Sequence, residues 1–171
     1  MVVAARTVTD FKNLSELSQG SAVAVSRERL ITNCHVVENR PFIAVVQGDE
    51  FQIAAMASAD PSSDRCILKV ADPTLSPVRG VRSFFDLKVG ERVYSVGAPS
   101  GLDRTLGEGI ISGLRPVEKR KFVQTTAPIS PGSSGGGLFD SAGNLIGVTT
   151  LLLREGQSLN FAIAAEDYWR D

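Results

Sequence analysis

Residues Ser130 to Leu138 read S-P-G-S-S-G-G-G-L. Glycines on both sides of Ser134 permit tight backbone geometry and leave room for another chain to approach the hydroxyl. That is the neighbourhood a nucleophilic serine needs. The same residues also satisfy G-x-S-x-G, the strand-to-helix elbow of α/β-hydrolases, in which the acid and then the histidine follow the serine along the chain. The sequence holds a single histidine, His35, and it precedes Ser134. The elbow fails on that order, so the fold has to be read from the segments around it.

A serine hydroxyl is a weak nucleophile until a base takes its proton, and His35, in T-N-C-H-V-V, is the only imidazole that could do so. An imidazole base needs an acid to hold its tautomer and stabilise its charged form. Asp64, which opens the run D-R-C-I-L-K-V, is the candidate. Taken singly, each motif has an ordinary reading: a Gly/Ser cluster is a loop, a lone histidine is structural, and an aspartate beside a strand is a turn residue. The argument for chemistry is that the three types occur together in the order His, Asp, Ser.

Working outward, helical periodicity is scarce. Short β-branched and apolar runs bounded by Gly, Pro, Ser and Asp recur at 21–25, 29–32, 42–46, 51–58 and 65–70, and again at 91–96, 105–114, 121–125, 144–153 and 158–163. This predicts an all-β chain in two units. Residues 1–75 form the first unit, with His35 and Asp64; residues 76–90 form a turn-rich linker; residues 91–171 form the second unit, with Ser134. Five or six strands per half is what closing each sheet into a small barrel requires, and closure removes exposed edges. Short helices are expected only at the ends, over 10–17 with Asp10 or Asn13 as cap, and over 164–171.

The 171 residues are 43% hydrophobic, enough for a buried core, and the 18 Lys+Arg nearly balance the 19 Asp+Glu with no block of like charge. Nothing here points to nucleic acid or an anionic membrane, and no apolar stretch approaches the roughly 18 residues of a membrane span. With one histidine and two cysteines, no metal site is expected, and no residue implies a cofactor. Cys34 and Cys66 read either as two small buried hydrophobes or as one bridge. The segment Met1 to Arg6 is apolar but brief, without the basic start, long apolar stretch and cleavage site of a signal peptide, and so assigns no compartment.

As a set, T-N-C-H-V-V, D-R-C-I-L-K-V and P-G-S-S-G-G-G-L resemble the His, Asp and Ser motifs of bacterial trypsin-like serine peptidases of the HtrA type. G-S-A-V-A-V, V-G-A-P-S-G-L, G-I-I-S-G-L and L-N-F-A-I-A resemble strands of the same domain, so the likeness runs from about Gly20 to Ala165. It implies two six-stranded antiparallel barrels with the site between them, and a serine endopeptidase acting on polypeptides. His35 would be the base, Asp64 its orienting acid and Ser134 the nucleophile, with the N–H groups of Gly132 and Ser134 as the oxyanion hole. Gly135 and Gly136 would keep the wall beside the nucleophile low. Thr149, Thr150 and Leu151 would pair a substrate backbone as an extra strand. The family also implies a periplasmic or otherwise exported setting and leaves room for self-association or a regulatory partner.

By the same resemblance Pro128 stands where trypsin-like enzymes carry an acid at the base of the specificity pocket, with Ile129, Ser130 and 158–161 as walls and Asn160 narrowing it. A small or medium apolar residue before the cut is therefore expected, since Arg or Lys would find no counter-charge. Ser133 departs from the usual Asn or Asp before the serine, and no peptide-binding PDZ segment follows Ala165. Cys34 and Cys66 would sit behind the triad. The competing reading is a latent or inactive protease-like module that binds peptide or a partner protein. A structural β protein would need all three motifs to be coincidence.

Overall fold

Alternation in Arg65–Val70 orients the first sheet. Cys66, Leu68 and Val70 are buried on one face, and Lys69 reaches solvent on the other. The computed structural model describes residues 1–98, 105–118, 120–154 and 157–169, and for 151–154 and 157–158 the backbone alone. The V-G-A-P-S-G-L motif runs past residue 98 and so lies partly outside these residues, as do the last two positions of the expected closing helix.

Seven strands make the first unit: β1 (Val2–Ala5), β2 (Ser18–Gly20), β3 (Val23–Ala24), β4 (Arg29–Thr32), β5 (Phe42–Gln47), β6 (Glu50–Asp60) and β7 (Arg65–Val70), in the order β2-β1-β5-β6-β7-β4-β3. Six more form the second: β8 (Arg92–Gly97), β9 (Thr105–Val117), β10 (Arg120–Thr125), β11 (Gly137–Asp140), β12 (Leu145–Arg154) and β13 (Gln157–Ala164), closed as β10-β13-β12-β11-β8-β9. The all-β architecture in two units is as expected, but only the second closes. The edges β2 and β3 have three and two residues. Between them the chain turns away to the second unit, where Ser21 N–H donates to the carbonyl of Ser134 at 2.7 Å.

Three apolar clusters hold the molecule. Val2, Leu30, Ile43, Leu68 and Val70 fill the first unit; Val93, Ile111, Val123, Leu138 and Ile146 fill the barrel. Val23 and Ile31 meet Leu145, Val148, Ile163 and Tyr168 between the two. Strand β4 is therefore covered on both faces, which is why its adjacent residues Leu30 and Ile31 are both apolar and both buried. Phe84 and Leu87 extend the expected linker into the barrel core.

The opening helix α1 spans Val8–Asn13, capped by Thr7, whose side chain accepts from Asp10 N–H. The expected caps Asp10 and Asn13 are both inside it, because the helix starts two residues early. Asp10 instead accepts from the Thr7 hydroxyl at 2.6 Å, a reciprocal arrangement like a capping box. The closing helix is a 3-10 turn, Ala165–Trp169. A further helical turn, α2 (Cys34–Val37), lies between β4 and β5.

Candidate active site

The hairpin between β6 and β7 is built to present Asp64. Asp60 begins a 3-10 turn over Pro61–Ser63, and Asp64 ends it in the left-handed region at φ 57°. That conformation is uncommon outside glycine, but aspartate tolerates it better than most residues. Asp60 accepts from the hydroxyls of Ser62 and Ser63 and from Arg65 Nη2, while Arg65 Nη1 reaches the carbonyl of Asp167 in the closing turn and Nε the Ser63 hydroxyl.

Hydrogen bonds from Ser62 first, then Ser63 and Arg65, hold the Asp60 carboxyl well below its ordinary value of 3.8. A depressed folded-state value means the stabilisation is fully present above pH 3.8 and is lost as the pH falls through the lower, folded value. The carboxylate is 39% exposed, so its ion pair is screened and contributes about 1 kcal/mol. Asp60→Asn is expected to lower the thermal midpoint at pH 7, with the gap to wild type closing in acid. A gap that stays constant down to pH 2 would contradict this.

The carboxylate of Asp64 meets α2. His35 N–H donates to Oδ1 at 3.0 Å, and the ring Nδ1 lies 2.9 Å from Oδ2 and 3.1 Å from Oδ1. Asp64 also accepts at its backbone carbonyl from Cys34 N–H and from the Asn33 amide. With Nδ1 donating to the carboxylate, the basic nitrogen left is Nε2. The His35 side chain is 49% exposed and that of Asp64 25%, so the pair is open to solvent. Of the two readings for the cysteines, the structure has the bridge: Cys34 and Cys66 are joined, with Cα atoms 4.9 Å apart. It ties the residue before His35 to the strand that follows Asp64.

Behind the pair, Asn33 Nδ2 reaches the Tyr168 hydroxyl at 3.5 Å, and both side chains are buried. Burial, and then the Asp64 charge, push the tyrosine well above its ordinary value, so it stays protonated.

Ser134 is reached through a turn in which Ser133 N–H donates to the carbonyl of Ser130 at 2.8 Å. Pro131 takes the second position and Gly132, at φ 90°, the third, the signature of a type II turn. The N–H groups on either side of that bond, those of Gly132 and Ser134, make no hydrogen bond to a described residue. Ser134 neighbours α2 across Gly20: a Cβ there would lie 2.6 Å from Val36 and 3.1 Å from the Ser134 carbonyl. No hydrogen bond joins the Ser134 hydroxyl to the His35 ring; the ring's only partner among the described residues is Asp64. Gly135 is needed for a reason other than the expected open wall. At φ 88° it faces inward, and a Cβ would fall 2.0 Å from the carbonyl of Ser21.

The expected pocket residues divide. Pro128, Ser130 and Thr149 line a small cavity of about 50 Å³ with Ser95, Gly107 and Ser133. Ile129 is buried away from it, and Asn160 spends its amide on the carbonyl of Ala127 at 2.9 Å. Thr149 is already paired: its N–H and carbonyl bond to Gly136 and Gly135, and its hydroxyl to the carbonyl of Ser133. It has no backbone group left for a substrate. Strand β11 pairs β12 only as far as Val148, and Thr150 and Leu151 lie beyond, opposite Phe161 and Asn160 of β13. Asp60, Asn33, Arg65 and Tyr168 escaped the sequence reading. Only D-P-S-S-D carried a local signal, an aspartate cap before a proline.

Residues 20–148 match the family model of the trypsin-like peptidase domain. The chain is 36% identical over 155 residues to a probable periplasmic serine endoprotease, DegP-like, of Pseudomonas fluorescens, a match over 85% of this chain and 32% of that protein. It thus spans about a third of the length of that relative. Among solved structures it is similar to the HtrA-type protease AlgW with tripeptide (30% identity, TM-score 0.79, 96% of this chain and 55% of the other). It is also similar to the serine endoprotease from Yersinia pestis (27% identity, TM-score 0.79, 96% and 58%).

Proposed function

The chain belongs to the trypsin-like peptidases of the HtrA type, and from that membership we propose that it is a serine endopeptidase with His35, Asp64 and Ser134 as its triad. The observation that carries the reading is the pair of N–H groups at Gly132 and Ser134 without a partner among the described residues, flanking a bonded one. These are the donors an oxyanion requires, supplied by a turn whose conformation is held by its neighbours.

In the first step His35 Nε2 takes the Ser134 proton as the hydroxyl oxygen bonds to the peptide carbonyl carbon. The carbonyl oxygen, now charged, is held by the two N–H groups, and Asp64 stabilises the imidazolium. The imidazolium gives its proton to the departing amine as the C–N bond breaks, leaving an acyl ester on Ser134. Water, deprotonated by the same nitrogen, attacks the ester and releases the acid and the free serine. Substrate would add as a strand along the edge of β12 from Thr150 onward.

The cavity lined by Pro128, Ser130 and Ser133 has no charged residue among the described residues that line it, which supports a small or medium apolar side chain before the cut. A peptide series varied at that position is expected to give kcat/KM at least about a hundredfold higher for Ala or Val than for Arg. Equal rates for Arg would reject the pocket assignment.

The absent bond between Ser134 and His35 favours a second reading, a latent form that needs a partner or ligand to complete the triad. Catalytic hydrogen bonds are often long before substrate arrives, so the test is direct. Rapid fluorophosphonate capture on Ser134 in the isolated protein supports the peptidase; no capture by folded protein supports latency.

A further inference from the structure

Ser21 lies in the connection between β2 and β3, in the other β unit from the turn that carries the nucleophile, and it is 3% exposed. Its hydroxyl accepts from Ala98 N–H at 2.8 Å, at the end of β8, and donates to the carbonyl of Gly132 at 2.8 Å. Its N–H donates to the carbonyl of Ser134 at 2.7 Å, and its own carbonyl accepts from the Thr32 hydroxyl at 2.7 Å. All its polar groups are thus committed at or behind the nucleophile's turn.

We infer that Ser21 is a positioning residue for the oxyanion hole, its hydroxyl clamping the carbonyl of Gly132 so that the turn keeps the Gly132 and Ser134 N–H groups unpaired. The inference rests on the peptidase reading above. The peptide after Gly132 is held on both sides, its carbonyl by Ser21 and its N–H by the carbonyl of Ser130. Only the peptide before Gly132 could then swing, and glycine there puts little steric barrier in the way. Without the hydroxyl the part-buried Gly132 carbonyl loses its partner, and turning the loop is the simplest way to bring it to water. The backbone bond from Ser21 to Ser134 survives substitution, so the nucleophile stays in place while its oxyanion donors are loosened.

The test compares wild type with Ser21→Ala on a cleaved peptide, on a peptide boronate that forms a tetrahedral adduct, and by hydrogen exchange at the Ser133 amide. Losing one oxyanion donor outright lowers kcat by about a hundredfold to a thousandfold. Loosening both is expected to lower kcat roughly 10- to 100-fold with KM within about twofold, to weaken the boronate by the same factor as kcat, and to speed exchange at Ser133. Unchanged kcat and boronate affinity, or a loss carried wholly by KM, would overturn the inference. Exchange reads the clamp separately from catalysis: an inert wild type defeats the peptidase reading, whereas unchanged exchange in Ser21→Ala defeats the clamp whatever the activity. Should the alanine variant not fold, Ser21→Thr, which keeps the hydroxyl, decides: kcat within about fivefold of wild type supports the clamp, and a hundredfold loss overturns it.

Discussion

Ser134→Ala is expected to abolish capture by a fluorophosphonate and to lower kcat for peptide hydrolysis by about a million-fold, with His35→Ala nearly as damaging. The two losses should not add. A serine without its base is an ordinary alcohol, and a base without its serine has no proton to take, so the double variant should be little worse than either single one. Asp64→Asn should cost less than either, though more than hydrogen bonding alone suggests. It would remove the charge beside Nδ1 and also weaken the acceptors for His35 N–H, so both the tautomer and the seating of α2 are at stake. Burst kinetics with an ester substrate check the acyl-enzyme step. Undiminished peptide hydrolysis by Ser134→Ala would remove the mechanism altogether.

Replacing both cysteines by alanine is expected to cost about 3–4 kcal/mol, the chain-entropy value for a loop with the 32-residue separation of Cys34 and Cys66. For a chain of this length that is a fall in thermal midpoint of roughly 10 °C. Both cysteines are 1% exposed, so mild reductant should act slowly on native protein and quickly once it begins to unfold. The bridge joins the start of α2 to β7, the two elements that bring His35 to Asp64. Activity in the variant should therefore fall at temperatures well below its midpoint. A variant with unchanged midpoint and activity would show that the hydrogen bonds of Asp64 to α2 suffice on their own.

Much of this was legible in the sequence because it is local. Each residue of the proposed triad sits in a short motif, their order excluded the elbow, and period-two runs such as Arg65–Val70 gave strands and the faces they bury. Strands β1, β2 and β11 were missed: Val-Val-Ala-Ala is buried throughout, Ser-Gln-Gly has no apolar residue to mark a face, and β11 follows directly on the glycines of the serine motif, so none shows a period of two. The bridge stayed open because two cysteines within reach in sequence say nothing of Cα separation.

The sequence by itself determined the all-β class and supplied the residue types proposed for the site and their order, since these follow from side-chain chemistry and short-range periodicity. Only the tertiary structure decided which side chains are already spent. Thr149 and Asn160 are occupied within the protein, Asp60 and Arg65 hold the acid's hairpin, and Ser21 reaches Gly132 across 111 residues of chain. Such pairings have no period and no neighbour in sequence to announce them. They exist because two separately formed sheets must satisfy their polar groups where they meet, and the geometry of that meeting is set by the whole fold.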